Sequence, residues 1–289
     1  MAQSTIIATC LLTGFEANRT LFGGSLIARR DLPAPAWRPE KMTEFVRLSA
    51  LGSGELEDWG PMPSADLISG TGQQYGYLWL DDAATGLMIG VWQCSPMTGR
   101  IGPWSTNEVM ILLEGAVSID HADGSTLDVA AGEAFFIPKG TVCSWRQEGD
   151  LKKFFAIHND SSGLTSAAPS SLRARKIERT TPFTPADGPD PALLAGPAPS
   201  CKEALAFTDL TGQLTAGLWS ATPYRRKAVP FARHELVHII EGSVTLDDGR
   251  GRKETFVAGD TCFVPLGASA GWESQEPVTK LFCSLTPSG

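Results

Sequence analysis

The chain repeats itself. Gly90-Val-Trp92 returns as Gly217-Leu-Trp219, and Pro96 as Pro223. Glu108-Val-Met-Ile-Leu-Leu-Glu-Gly115 returns as Glu235-Leu-Val-His-Ile-Ile-Glu-Gly242. Gly132 with Ile137-Pro-Lys-Gly140 returns as Gly259 with Val264-Pro-Leu-Gly267, and Trp145 and Lys153 return as Trp272 and Lys280. Every pair lies 127 positions apart, so the register holds without a gap from about Leu80 to Phe155. Upstream, Leu67-Ile-Ser-Gly70 resembles Leu193-Leu-Ala-Gly196 after a one-residue slip. A fixed period of this length means one folded unit present twice.

Each unit reads as β-structure. Apolar runs of five to eight residues end in turn signals: Ala116–Asp120 runs into His121-Ala-Asp-Gly124, and Val244–Leu246 into Asp247-Asp-Gly-Arg250. A strand entering Asp-Gly marks a hairpin. Pro138 and Pro265 each end a short strand, because proline donates no ladder hydrogen bond. No helical period is sustained in either copy. Along the strand that starts at Glu108, alternation puts Glu108, Met110 and Leu112 on one face and Val109, Ile111 and Leu113 on the other. Both faces are apolar, which predicts burial on both sides, as between packed sheets.

Boundaries follow from the repeat. Residues 66–159 form the first domain and 193–289 the second. Residues 160–192 read as a linker, in a Ser-, Pro-, Ala- and Gly-rich stretch that continues to Pro199. Residues 1–65 have no counterpart. Their apolar patches (Ile6–Leu12, Leu21–Ala28, Phe45–Leu51) predict an extension packed on the first barrel and covering a sheet edge.

Composition excludes several partners. A net charge of −8 speaks against nucleic acid. No apolar run approaches the roughly 20 residues that cross a bilayer. Residues 1–15 carry no basic residue ahead of the apolar stretch, a poor secretion signal. The six cysteines are widely spaced with no C-x-x-C pair, as expected of a reducing cytoplasm.

The spacing Glu-x6-Gly, followed by Gly-x5-Pro-x-Gly, resembles the two motifs of the cupin superfamily, and it occurs twice. The later Trp and Lys are similar to the branch containing ureidoglycine aminohydrolases and the ethanolamine-utilisation cupin. The resemblance implies an all-β chain of tandem jelly-roll barrels with an N-terminal extension, its copies related by a pseudo-twofold axis and its sites inside the barrels. A fused pair would mimic a dimer of single cupins, burying Leu236, His238 and Ile240 between the copies; a homodimer of the whole chain stays open.

The resemblance also implies a metal, held by three histidines and a glutamate. Laid on this chain, the histidine positions fall on Gly102, Trp104 and Cys143 in the first copy and on Val229, Phe231 and Ala270 in the second. Only the carboxylates Glu108 and Glu235 remain, too few ligands for tight divalent binding. The expectation is therefore no metal and no cofactor, with an atypical site around His234 left open. His121, placed in a turn beside Asp120 and Asp123, is expected to be solvated.

The candidate pocket residues are Trp92, Trp104, Glu108, Cys143 and Trp145 in the first barrel, and Trp219, Phe231, Glu235 and Trp272 in the second. An aromatic-walled cavity with one carboxylate suits a small polar or amine-bearing metabolite, and the first barrel is the expected binder. Two alternatives stand beside it. One is an enzyme, an isomerase, lyase or amidohydrolase-type catalyst using Glu108 or Glu235; the other is a scaffold whose barrels are plugged by tryptophan. The basic cluster Tyr224-Arg225-Arg226-Lys227 is read as a solvated loop, or as an anion site at the barrel mouth.

Overall fold

The computed structural model describes residues 42–288. The patches Ile6–Leu12 and Leu21–Ala28 lie outside the described residues. Among the described residues the chain is strand throughout, interrupted by three single 3-10 turns. Among the described residues, no helix is long and apolar enough to cross a membrane.

Each copy contributes one seven-stranded and one smaller sheet. The first large sheet runs, in spatial order, Arg175–Lys176, Ala134–Ile137, Asn107–Glu114, Leu151–His158, Leu87–Cys94, Gln73–Asp82 and Glu57–Pro61. The second runs Val46–Leu48, Thr261–Val264, His234–Glu241, Val278–Leu285, Leu214–Ala221, Cys201–Thr208 and Thr184–Ala186. The order matches strand for strand. Even the bulges recur, between Leu78 and Leu80 and between Leu205 and Phe207. Six strands close the first barrel and four the second. The motif glycines Gly115 and Gly242 hold positive φ angles of 80° and 77°, and a Cβ at either would strike a backbone carbonyl of the facing turn.

The two faces of the Glu108 strand go where alternation sends them. Met110 and Leu112 join the first barrel's interior, with Trp92, Phe135 and Phe155. Val109 and Ile111 join a second core built from both copies, including Trp79, Phe136, Phe154, Leu218, Leu236 and Leu281, with Ile240 packed against it. The large sheets thus lie back to back, and each barrel interior lies on the side away from the shared core. The second barrel has its own interior around Val237, Ile239, Phe256 and Trp272.

The domain boundaries need correction at both joins. The extension does not pack only on the first barrel: Val46–Leu48 pairs with Thr261–Val264 of the second copy, and Glu57–Pro61 is already a strand of the first. Likewise the segment read as linker supplies Arg175–Lys176 to the first sheet and Thr184–Ala186 to the second. Each copy's leading arm crosses to the other copy. The reason is physical: the strands at Ala134 and Thr261 would otherwise end their sheets with unpaired backbone groups. Equivalent side chains fix both arms. Leu48 and Ile177 are buried, Arg47 pairs with Asp260, and Lys176 pairs with Glu133, the counterpart of Asp260.

Candidate functional site

On the strand Leu151–His158, residues 151, 153, 155 and 157 form the inward row, three apolar and one lysine. Lys153 stands opposite Trp92 in the ladder, and Lys280 opposite Trp219. Both ammonium groups therefore enter a barrel interior, where burial without a partner would be prohibitive. In each barrel the partner is the motif glutamate.

In the first barrel Lys153 Nζ lies 2.7 Å from Glu108 Oε1 and 3.1 Å from Met110 Sδ. It sits 4.9 Å from the ring centre of Trp92 and 4.7 Å from that of Trp145, a cation between two π faces. Trp104 donates its indole N–H to Glu108 Oε2 at 3.2 Å. The remaining indoles are also satisfied, Trp92 by Gln74 and Trp145 by Gln147. Burial pushes the Lys153 ammonium below the usual lysine range, against the pull of Glu108. Burial, reinforced by Glu108, pushes the Cys143 thiol up to about 12, so it is no nucleophile. None of Trp92, Trp104, Glu108, Cys143, Trp145 and Lys153 is more than 2% exposed. This interior is filled.

The second barrel repeats the pair and changes its surroundings. Lys280 Nζ approaches Glu235 Oε1 at 2.5 Å and lies 5.0 and 5.1 Å from Trp219 and Trp272. Phe231 replaces Trp104 and cannot donate; Arg233, at the position of Thr106, binds Glu235 Oε2 instead, its Nε at 3.0 Å. Burial alone would raise the Glu235 carboxyl, but Lys280 and Arg233 outweigh it and hold it down at about 2. Ser274 replaces Gln147 and accepts from the Tyr224 backbone, which leaves the buried Trp272 indole N–H without a partner. Arg226 lies 5.0 Å over Phe231 and donates to the Ala270 carbonyl, while its Nε is buried and unpaired. Trp219 and Phe231 are only partly buried, and the Arg233 side chain is 50% exposed. Partly exposed aromatic and cationic side chains thus stand beside two buried, unsatisfied donors, the kind of atoms a bound group would complete.

Lys153 and Lys280 were absent from the sequence-based site, although the signal was present. A lysine recurring at one register position, inside an otherwise apolar strand of each copy, is either paired and buried or misplaced. Arg233 carried no such signal, since its counterpart is Thr106.

The donor set does not fit a divalent metal. Each barrel offers one carboxylate, already held by a lysine, and among the described residues no three His, Cys, Asp or Glu side chains converge. Each histidine makes its contacts within the protein. His121 is buried rather than solvated, its Nε2 accepting from the Ala174 N–H at 3.0 Å, because the crossing arm covers it. His234 stacks on Phe263 and accepts from the Leu266 N–H. His238 contacts Thr261 Oγ1 at 2.9 Å. His158 Nδ1 lies 2.9 Å from Asp209 Oδ2, across the junction of the copies.

A family profile described as the EutQ-like cupin domain matches this chain twice, over residues 83–155 and 208–282. A search of curated proteins returned no match. Among solved structures, a protein of unknown function from Pseudomonas syringae is 24% identical, with a TM-score of 0.70 over 84% of this chain and all of that one. YlbA from E. coli is 11% identical, with a TM-score of 0.50 over 89% of this chain and 97% of its own. The Streptomyces albus enzyme HEPD, solved with 2-hydroxyethylphosphonate and Fe(II), is 9% identical, with a TM-score of 0.50 over 85% of this chain and 77% of its own. At these identities the likeness concerns the fold.

Proposed function

The chain belongs to the EutQ-like cupin family, matched in both copies, and from that premise we propose that it binds a small anionic metabolite in its second barrel without a metal, the first barrel being structural. The observation that carries this reading is the difference between two otherwise equivalent interiors. One pairs the indoles of Trp92, Trp104 and Trp145 and keeps them from solvent; the other leaves the Trp272 N–H and Arg226 Nε unpaired beside the partly exposed Trp219, Phe231 and Arg233.

The charge balance selects the ligand's sign. An amine, expected from sequence in the first barrel, would need a free carboxylate, and Glu108 and Glu235 are both committed to lysines. The free donors of the second barrel are cationic or neutral N–H groups, which suit a carboxylate or phosphate. The catalytic reading draws on the same Glu–Lys contact, a second titratable group within hydrogen-bond reach. A Glu235 carboxylate held near 2 is nevertheless a feeble base at neutral pH.

Titration of intrinsic tryptophan fluorescence with glycolate, succinate and oxalate tests the proposal, since Trp219 and Trp272 line the site. At least one should saturate the signal, and Arg226→Gln should weaken it about tenfold or more, the scale of a lost charged hydrogen bond. No response, or an unchanged one in Arg226→Gln, would defeat the reading.

A further inference from the structure

A separate cavity of about 350 Å³ lies at the junction of the two copies, under residues 160–175. That volume falls in the roughly 300–1,000 Å³ range of small-molecule sites. Its apolar floor is the pair Phe136 and Phe207, one from each copy, stacked with ring centres 4.7 Å apart. Its polar wall joins Asn107, Lys139 and Asp160 of the first copy to Asp209 of the second.

Both carboxylates in this wall are already matched. Asp209 accepts from Thr211, Leu214 and Asn107 and contacts His158. Asp160 takes Ser162 and Lys139. Arg173 is spent on Asp123 and two carbonyls. Arg175 also lines the cavity, and its side chain makes no hydrogen bond or ion pair among the described residues. Among the described residues, the charged side chain of this wall left without a partner is that of Arg175.

The two copies differ at this cavity. Where the second copy presents Ala206, the first has Trp79; Lys139 stands where the second copy has Leu266. A small residue has removed an indole's volume and a lysine has replaced an apolar side chain, both at one place. We infer that this inter-copy cavity is a second binding site, for a monoanion with a flat apolar body, its ring over Phe136 and Phe207 and its acid on Arg175, beside the Lys139–Asp160 pair.

The full chain titrated with 2-naphthoate, followed by ligand-observed NMR and calorimetry, tests this. The expected result is one saturable site that Arg175→Glu weakens at least tenfold and Ala206→Trp abolishes, with Arg226→Gln and Arg233→Gln in the second barrel leaving it unchanged. Arg175 is exposed, so its reversal tests the site even if Ala206→Trp perturbs folding. Equal affinity for neutral 2-naphthamide would overturn the role of the cation. Absence of saturation, or loss of binding with Arg233→Gln, would overturn the site itself, whatever the fate of the second barrel.

Discussion

A lysine ammonium closed off from water is tolerable only beside a carboxylate, and that fact ties Lys153 to Glu108 more firmly than either is tied to a ligand. Removing one partner leaves the other charge stranded, at a cost of about 3–5 kcal/mol; replacing both with apolar groups is near neutral or stabilising. Lys153→Met alone should therefore lower unfolding free energy by that amount in urea, while Lys153→Met with Glu108→Leu should recover most of it. Equal losses in the single and double variants would show that packing against Trp92 and Trp145, not charge, sets the cost. In the second barrel the pH dependence has a definite sign. Glu235 sits at about 2 when folded, below its ordinary 4.5, because Lys280 and Arg233 outweigh its burial. Its ionisation thus stabilises the fold fully above about pH 4.5 and progressively less as pH falls toward 2. Urea unfolding of the wild type and Glu235→Gln at pH 7, 5, 4 and 3 should show their difference shrinking below pH 5. A constant difference would remove the carboxylate as its source.

At the level of strands, the exchanged arms make each copy's edge depend on chain from outside that copy. Leu48 is buried between the second sheet and the shared core, so Leu48→Asp places an unpaired charge there. Hydrogen exchange should then lose protection in Thr261–Val264 and His234–Glu241 before Ala134–Ile137 and Asn107–Glu114. Uniform loss in both copies would mean that the arm acts through global stability alone. The long strands were legible in sequence because alternation over eight residues, as at Glu108, carries its own evidence. The arms were not: Val46–Leu48 has three residues and Arg175–Lys176 two, too short for any period. Which edge they meet is decided by distance in space. By residue type alone the candidate pocket residues of the two barrels look alike. Their environments instead diverge at Thr106 and Arg233, Trp104 and Phe231, and Gln147 and Ser274, positions whose weight appears only once Lys153 and Lys280 are inside.

Across the whole molecule, the back-to-back sheets explain why both faces of the Glu108 strand are apolar and how the two copies come to share one core. The shared core takes Trp79, Val109, Ile111 and Phe154 from the first copy and Phe207, Leu218, Leu236 and Leu281 from the second. Each side chain of that size gains about 1.5–3 kcal/mol by leaving water, a sum neither copy can forgo. Residues 51–181 contain every strand of the first copy's two sheets, including the arm Arg175–Lys176 that crosses onto them, so their backbone ladders can form without the second copy. Their outer face would nevertheless be a broad apolar sheet. Expressed alone, this segment should self-associate, two copies meeting through Val109, Ile111 and Phe154 as the fused pair does. Light scattering after size exclusion would report a dimer or larger species, and Ile111→Asp should return it to monomer. A stable monomer of the unaltered segment would instead mean that each barrel's interior suffices, and that the shared core sets how the copies are arranged rather than whether they fold.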